Sequence, residues 1–301
     1  MLIVGSHYTD MTLERTYVIS SGPAPPSAND YADHANSEWQ ALLSKASTES
    51  DVQAFLEQNP AYLPGAWTPG TKSGHYPLHC AAIAQPVLPG LRSKRPDFMW
   101  ISMHSLEWYP TLIEIEAPSK RVFTRSGTPR AEFTEARNQL AEWRTWFSDP
   151  SNVQVFTESY GIPYAIRSAR QMRLHMVLVY GRRDEFATNP RLAQQRASLM
   201  TGADEELMSY DRLAVDRELG NAITVRADGN GRYKAVAVPP LFRLGPNLAD
   251  RLLSIDNVDA ALRETPLMSE ERRAFLLSRL PYWQAWAQDG ARGIVNTGDW
   301  E

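Results

Sequence analysis

Apolar and polar positions change their period several times along this chain, and each change marks an element. From about Tyr31 to Ala46, Trp39, Leu42 and Leu43 fall at helical spacing. A second helix is predicted from Ser50 to Gln58, opened by Ser50-Asp51 and stopped by Asn59-Pro60. Residues 60–94 hold Pro60, Pro64, Pro69, Pro77, Pro86 and Pro89, which predicts irregular chain with short strands. Two strand-like segments follow between Arg95 and Pro118, joined by the turn His104-Ser105-Leu106-Glu107. Over Ala131–Phe147 a helical stripe returns, with Phe133, Ala136, Leu140, Trp143 and Phe147 on one side and Asp149-Pro150 as its stop. Arg173 to Tyr180 is a short apolar run and reads as a buried strand. Helices are predicted near 190–200 and 210–219. A hairpin is predicted over Asn221–Val238, turning at Asp228-Gly229-Asn230-Gly231. The last sixty residues read mostly as helix, with Tyr282, Trp283 and Trp286 at core or interface spacing beside Leu276, Leu277 and Leu280.

This succession predicts an α/β fold, a mixed central sheet flanked by helices. Residues 1–30 read as an arm or linker, because Ser20 to Ser27 is a Ser/Gly/Pro-rich run. Residues 31–219 form the main domain. Residues 220–301 are a β-hairpin and helical extension, expected to pack on the core or to make a subunit contact.

The candidate chemistry lies in the Arg95–Pro118 hairpin. If the hairpin is symmetric about its turn, Met103 faces Trp108 and Asp97 falls opposite Glu114. Glu114 and Glu116 share a strand face with Leu112, while Ile113 and Ile115 point the other way. Three carboxylates so close raise one another's pKa unless something positive lies between them. A divalent cation with oxygen ligands answers that need, and the arrangement points to metal-assisted phosphodiester hydrolysis.

Charge and composition narrow the partners. A formal net charge of −4 means that any contact with nucleic acid needs a local basic patch. Lys120, Arg121, Arg125 and Arg130 in the loop 119–130, and the pair Arg182-Arg183, are the candidates, set against the commoner solvated role of such runs. The single cysteine, Cys80, rules out an internal disulfide and fits a reducing cytoplasm. No signal peptide and no membrane-length apolar run is present. His75, His79, His104 and Cys80 read as structural or surface residues. Without a Walker A loop, a Rossmann glycine fingerprint or a G-x-S-x-G elbow, a nucleotide-driven motor, a dehydrogenase and a serine hydrolase are disfavoured.

Asp97 with Glu114-x-Glu116 on neighbouring strands before a helix resembles the PD-(D/E)xK nuclease fold, and Pro96-Asp97 reproduces its PD. Further text accompanies it: Phe55 to Pro60, Arg95 to Phe98, Glu114 to Pro118, Ala136 to Leu140 with Trp143, Tyr180 to Arg183, and Ser209 to Leu213. In this order, over roughly residues 35–215, these segments resemble the nuclease domain of the Shedu antiphage-defence proteins. The resemblance implies a Mg2+- or Mn2+-dependent DNA endonuclease that self-associates into a homo-oligomer. It matches Asp97 and Glu114 to metal-binding carboxylates, Gln139 to a helix glutamine of the site, and Glu57 to an accessory acid of the first helix. At the third motif position Glu116 stands where a lysine is usual. Glu116 is then a further metal ligand or a base toward water, with Lys120, Arg121 or Arg137 as the replacement cation. The alternative is an inactive nuclease-fold scaffold that binds DNA or senses phage.

Overall fold

The computed structural model describes residues 14–45, 47–70, 74–90, 95–200, 202–290 and 293–301. The first residues of the expected arm, and Ala46 at the end of the first expected helix, lie outside these.

Strands β1 (Ala81–Ala84), β2 (Phe98–Met103) and β3 (Glu107–Ile115) form the centre of the fold. The hairpin register is the symmetric one, with Met103 opposite Trp108 and Phe98 opposite Ile113. β2 is buried on both faces, as is β3 from Trp108 onward, which explains their nearly continuous apolar text. Pro110 sits inside β3 without breaking it. On the parallel side β3 pairs with β4 (Gln171–Met172) at Glu107 and Trp108, and with β5 (His175–Val179) from Thr111 onward. The proline falls in the gap between those two partners, where a missing N–H costs no ladder bond.

β6 (Glu205–Met208) extends the sheet beyond β5. On the other side β7 (Ile223–Gly229) joins β1 in parallel, followed by β8 (Arg232–Ala237) and β9 (Ile255–Asp256). The order is β6-β5-β3-β2-β1-β7-β8-β9, with β4 beside β3. The hairpin expected over Asn221–Val238 is therefore part of the central sheet.

Helices α1 (Ala28–Ser44), α2 (Glu49–Gln58) and α3 (Ala131–Phe147) lie close to their expected spans. α2 starts at Thr48, which forms a capping box with Asp51, rather than at Ser50. Asp149-Pro150 does not simply stop α3. Asp149 caps α4 (Pro150–Ser159) through Ser151 N–H, with Pro150 at the first helical position. Two further short helices follow, α5 (Tyr164–Ala169) and α6 (Asp184–Ala187), and α7 (Pro190–Ala197) is the helix expected near 190–200. The helix expected over 210–219 is instead two 3-10 turns, Tyr210–Arg212 and Arg217–Leu219. Backbone bonds pull that segment onto its neighbours, with Tyr210 N–H on Gly181 O and Asp216 N–H on Ala61 O.

α8 (Pro246–Leu252), α9 (Val258–Arg263) and α10 (Glu270–Asp289) complete the extension. The described part of the arm runs against α10 and the C-terminal residues. Val18 N–H bonds the Tyr282 hydroxyl at 2.7 Å, and Trp286 Nε1 donates to Thr16 Oγ1 at 3.0 Å. Tyr17, Trp283 and Trp286 pack ring to ring, so this aromatic cluster is core. Among the described residues no helix is long and apolar enough to cross a membrane.

Candidate functional site

Asp97 precedes β2, and its position is fixed by backbone bonds on both sides. Its N–H donates to Ile113 O at 3.0 Å, and its O accepts from Gln85 N–H at 2.7 Å. Its carboxylate accepts from Ile115 N–H at 2.8 Å. This clamps Asp97 against the end of β3, where its carboxyl group shares a hydrogen bond with that of Glu114. Glu114 and Glu116 are each only 6% exposed. Burial pushes the Asp97 carboxyl up to about 7, and the negative charges of Glu49 and Glu116 add to the rise. The Ile115 N–H and Glu114 bonds oppose it without winning. The Asp97 carboxyl is thus driven toward its neutral form near neutral pH.

Glu116 is differently served. Its N–H bonds Val179 O at 3.1 Å, and its carbonyl accepts from the buried Tyr210 hydroxyl at 2.5 Å. Pro118 turns the chain after β3, and Lys120 N–H closes that turn on Ala117 O at 2.9 Å. The turn brings the Lys120 ammonium back onto Glu116 Oε2. Partial burial pushes the lysine pKa down, but the hydrogen bond and charge of Glu116 outweigh this and leave it raised. Of the three cations considered for the motif position, Lys120 is the one in contact with Glu116.

Arg137 lines a different cleft, with Arg144, Asp204 and Glu205, in which Arg144 holds both acids at 2.7–2.9 Å. Arg121 and Arg125 are exposed. Arg130 caps its own loop, Nε on Phe123 O at 3.0 Å, and its charge reaches Tyr180. Arg182 is committed to structure: its guanidinium bonds Asp211 at 2.7 and 2.9 Å and Leu43 O at 2.8 Å. Arg183 is tied through its backbone N–H to Asp211 at 2.6 Å, and its side chain is exposed. Gln139 is buried on α3, and its Nε2 has no hydrogen-bond partner among the described residues.

Glu57 lies elsewhere, accepting from Gln53 at 3.2 Å and from Arg226 of β7 at 3.4 Å. The acid of α2 that acts on the site is Glu49, whose charge raises the pKa of Asp97, Lys120 and Tyr210. Sequence reasoning missed it. The signal was the Thr48-x-x-Asp51 capping box, which makes Glu49 the first helical residue instead of a loop position.

The histidines and Cys80 lie apart from this cluster. His75 N–H bonds Met103 O at 2.9 Å, and His104 meets Glu107 and Tyr109 at 3.2 and 3.3 Å. Burial pushes His79 down to about 4 and the Cys80 thiol up to about 11.

Among the described residues no group of three or more His, Cys, Asp or Glu side chains is arranged to hold a metal ion. Of the expected ligand set of Asp97, Glu114 and Glu116, Glu116 is turned to Lys120. Asp97 and Glu114 remain as a pair of hard oxygen donors. Such a pair fits Mg2+, which is commonly held by one or two carboxylates, waters and substrate phosphates.

Residues 46–214 match the family described as Shedu protein SduA, C-terminal. No match is found among curated proteins. The matched segment contains Asp97, Glu114, Glu116, Lys120 and Glu49 and is more than half of the chain. The chain belongs to the Shedu family, which implies a part in antiphage defence.

Proposed function

We propose that this protein is a metal-dependent DNA endonuclease of a bacterial defence system, with a PD-(D/E)xK-type core. One observation carries the reading. The Asp97–Glu114 carboxyl pair and the Glu116–Lys120 ion pair stand side by side at the end of β3. The first pair would hold one Mg2+ or Mn2+, which supplies a water of lowered pKa and charge for the phosphate oxygens. Its binding would displace the proton that Asp97 otherwise keeps near neutral pH. Lys120 takes the place of the motif lysine. Glu116 orients the ammonium and keeps it charged, so that it can position a water or steady the phosphorane-like charge of the transition state. Arg121, Arg125 and Arg183 are exposed cations able to neutralise backbone phosphates, whereas Arg182 is reserved for Asp211. Self-association into a homo-oligomer belongs to the same reading.

The test is plasmid nicking over a magnesium and manganese series. Asp97→Asn and Glu114→Gln should abolish cleavage. Lys120→Met and Glu116→Gln should each lower it by about 10²-fold or more, the usual size of a lost transition-state contact. Activity indifferent to Lys120→Met would remove the ion pair from the mechanism. The scaffold reading is favoured by one feature, the Glu116 carboxylate at the lysine position. It would be established by a wild type inert with every metal that gains activity as Glu116→Lys.

A further inference from the structure

A cleft of about 730 Å3 opens between the arm, the start of β1 and the extension. It lies at the far end of the sheet from the carboxylates. β1 runs antiparallel to β2, so Ala84 lies beside Phe98 near Asp97, while Cys80 sits at the opposite end of the strand. Most of its wall comes from residues outside the matched segment 46–214, including Pro25 and Pro26 above and Leu248 and Trp300 on the extension.

The wall is strongly biased in charge. Arg217, Arg243 and Arg251 face one carboxylate, that of Glu218. Among the described residues none of the three guanidiniums is in an ion pair. Arg243 is held through its backbone, its N–H on Asn221 Oδ1 at 2.7 Å and its O accepting from Asn221 Nδ2 at 3.3 Å, which leaves its exposed guanidinium available. Arg251 lies 5.9 Å from the Tyr76 ring centroid, and its charge lowers the pKa of the Cys80 thiol against the rise from burial. Guanidinium forks suit phosphate and carboxylate oxygens, and three of them line this cleft against a single carboxylate. The rest of the wall mixes polar residues, Ser27, Asn221, Asn247 and Thr297, with apolar and aromatic ones that include Leu241, Leu248 and Trp300. The volume falls in the range of small-molecule sites.

We propose that this cleft binds a small anion with a flat aromatic body, the chemistry of a nucleoside monophosphate. The phosphate meets Arg217, Arg243 and Arg251, and the base lies against Trp300. This site is independent of the nuclease reading, because it uses none of the carboxylates at the end of β3.

The experiment is titration calorimetry on the full chain in EDTA, with adenosine and guanosine 5′-monophosphates, adenosine, and inorganic phosphate as separate probes. EDTA keeps the outcome separate from any metal at Asp97 and Glu114. The expected result is saturable binding of at least one monophosphate, with adenosine and phosphate alone weaker by about tenfold or more. Arg217→Glu and Arg243→Glu alter exposed side chains and should leave the fold intact by circular dichroism, yet each should weaken monophosphate binding by about tenfold or more. Trp300→Ala should weaken it as well. Absence of binding by both monophosphates, binding of adenosine equal to that of its phosphate, or an isotherm unchanged by both charge reversals would each overturn the proposal.

Discussion

Charged side chains are buried in two regions of this molecule, and the two treat them in opposite ways. At the end of the extension, the Glu301 carboxylate is fully covered and accepts from Arg279 at 2.7–3.0 Å, Trp283 Nε1 at 2.9 Å and Ser20 N–H at 2.8 Å. Arg272, 2% exposed, donates to the carbonyls of Pro23, Phe242 and Glu301 at 2.8–2.9 Å. Burial alone would raise the Glu301 pKa, but these partners outweigh it and leave it lowered. At the end of β3 the balance is reversed: Lys120 is paired with Glu116, and burial with the charges of Glu49 and Glu116 drives Asp97 toward its neutral form. The first region spends its charges on holding the arm to α10. The second concentrates negative charge, and under the proposed function it is there that a cation would bind.

The largest effect should come from the lock. Glu301→Ala leaves Arg279 and the arm without their shared acceptor, and breaking a buried pair costs about 3–5 kcal/mol. Urea unfolding measures this, and limited proteolysis near Ser20 should speed up in parallel. The wild-type contribution is present above the ordinary glutamate pKa and is lost as pH falls through the lowered folded value. A loss below about 1 kcal/mol would erase the contrast between the two regions.

Asp97→Asn should act with the opposite sign. Because the folded pKa is raised, Asp97 weakens the fold increasingly as pH rises from the ordinary aspartate range through about 7. The variant should therefore be more stable than wild type at alkaline pH without metal, by on the order of 2 kcal/mol, with the gap closing toward acid pH. Manganese should raise the melting temperature of wild type and not of the variant. Thermal scans over pH, with and without manganese, give both readings. A variant less stable than wild type at every pH would mean that Asp97 serves as a structural clamp through its bond to Ile115 N–H.

Lys120→Met comes next. The lysine is 35% exposed on its side chain, so solvent screens part of the pair with Glu116, and the expected loss of stability is only about 1 kcal/mol. If the loss matches that of Glu301→Ala, the Glu116–Lys120 pair is a lock as well.

How much of this was written in the chain differs between the same two regions. The hairpin register, α3 and the meeting of Asp97 with Glu114 follow from local alternation and turn length, so the carboxylate end was legible. Lys120 was only one of three candidate cations, because the turn after Pro118 decides which reaches Glu116. The lock was not legible. Its contacts join residues some 260–280 positions apart, such as Val18 with Tyr282 and Ser20 with Glu301, and a Ser/Pro-rich arm carries no periodic signal. The parallel pairing of β7 with β1 was hidden for the same reason, since non-local pairing leaves no mark on spacing. α4 was misread locally: Asp-Pro after a helix is as good an N-cap as a stop.

The smallest effect is the sharpest test of where the acidic region ends. Glu49 and Glu57 lie on the same helix, α2, at its two ends, and only Glu49 raises the Asp97 pKa. Glu57 instead accepts from Arg226, whose side chain is 53% exposed, a pairing worth roughly 0–1 kcal/mol. Neither Glu49→Gln nor Glu57→Gln should therefore change stability much at acid pH. Their pH profiles should differ. Removing the Glu49 charge relieves part of the repulsion on Asp97 and lowers its folded pKa, so the alkaline loss of stability should be smaller and should level off at lower pH than in wild type. Glu57→Gln should reproduce the wild-type profile. The carboxyl carbon resonance of Asp97, followed by NMR titration, reads the shift directly. Equal shifts in both variants would show that the helix acts on the site as a diffuse negative charge. No shift in either would confine the acidic region to β3 and the residue that clamps it.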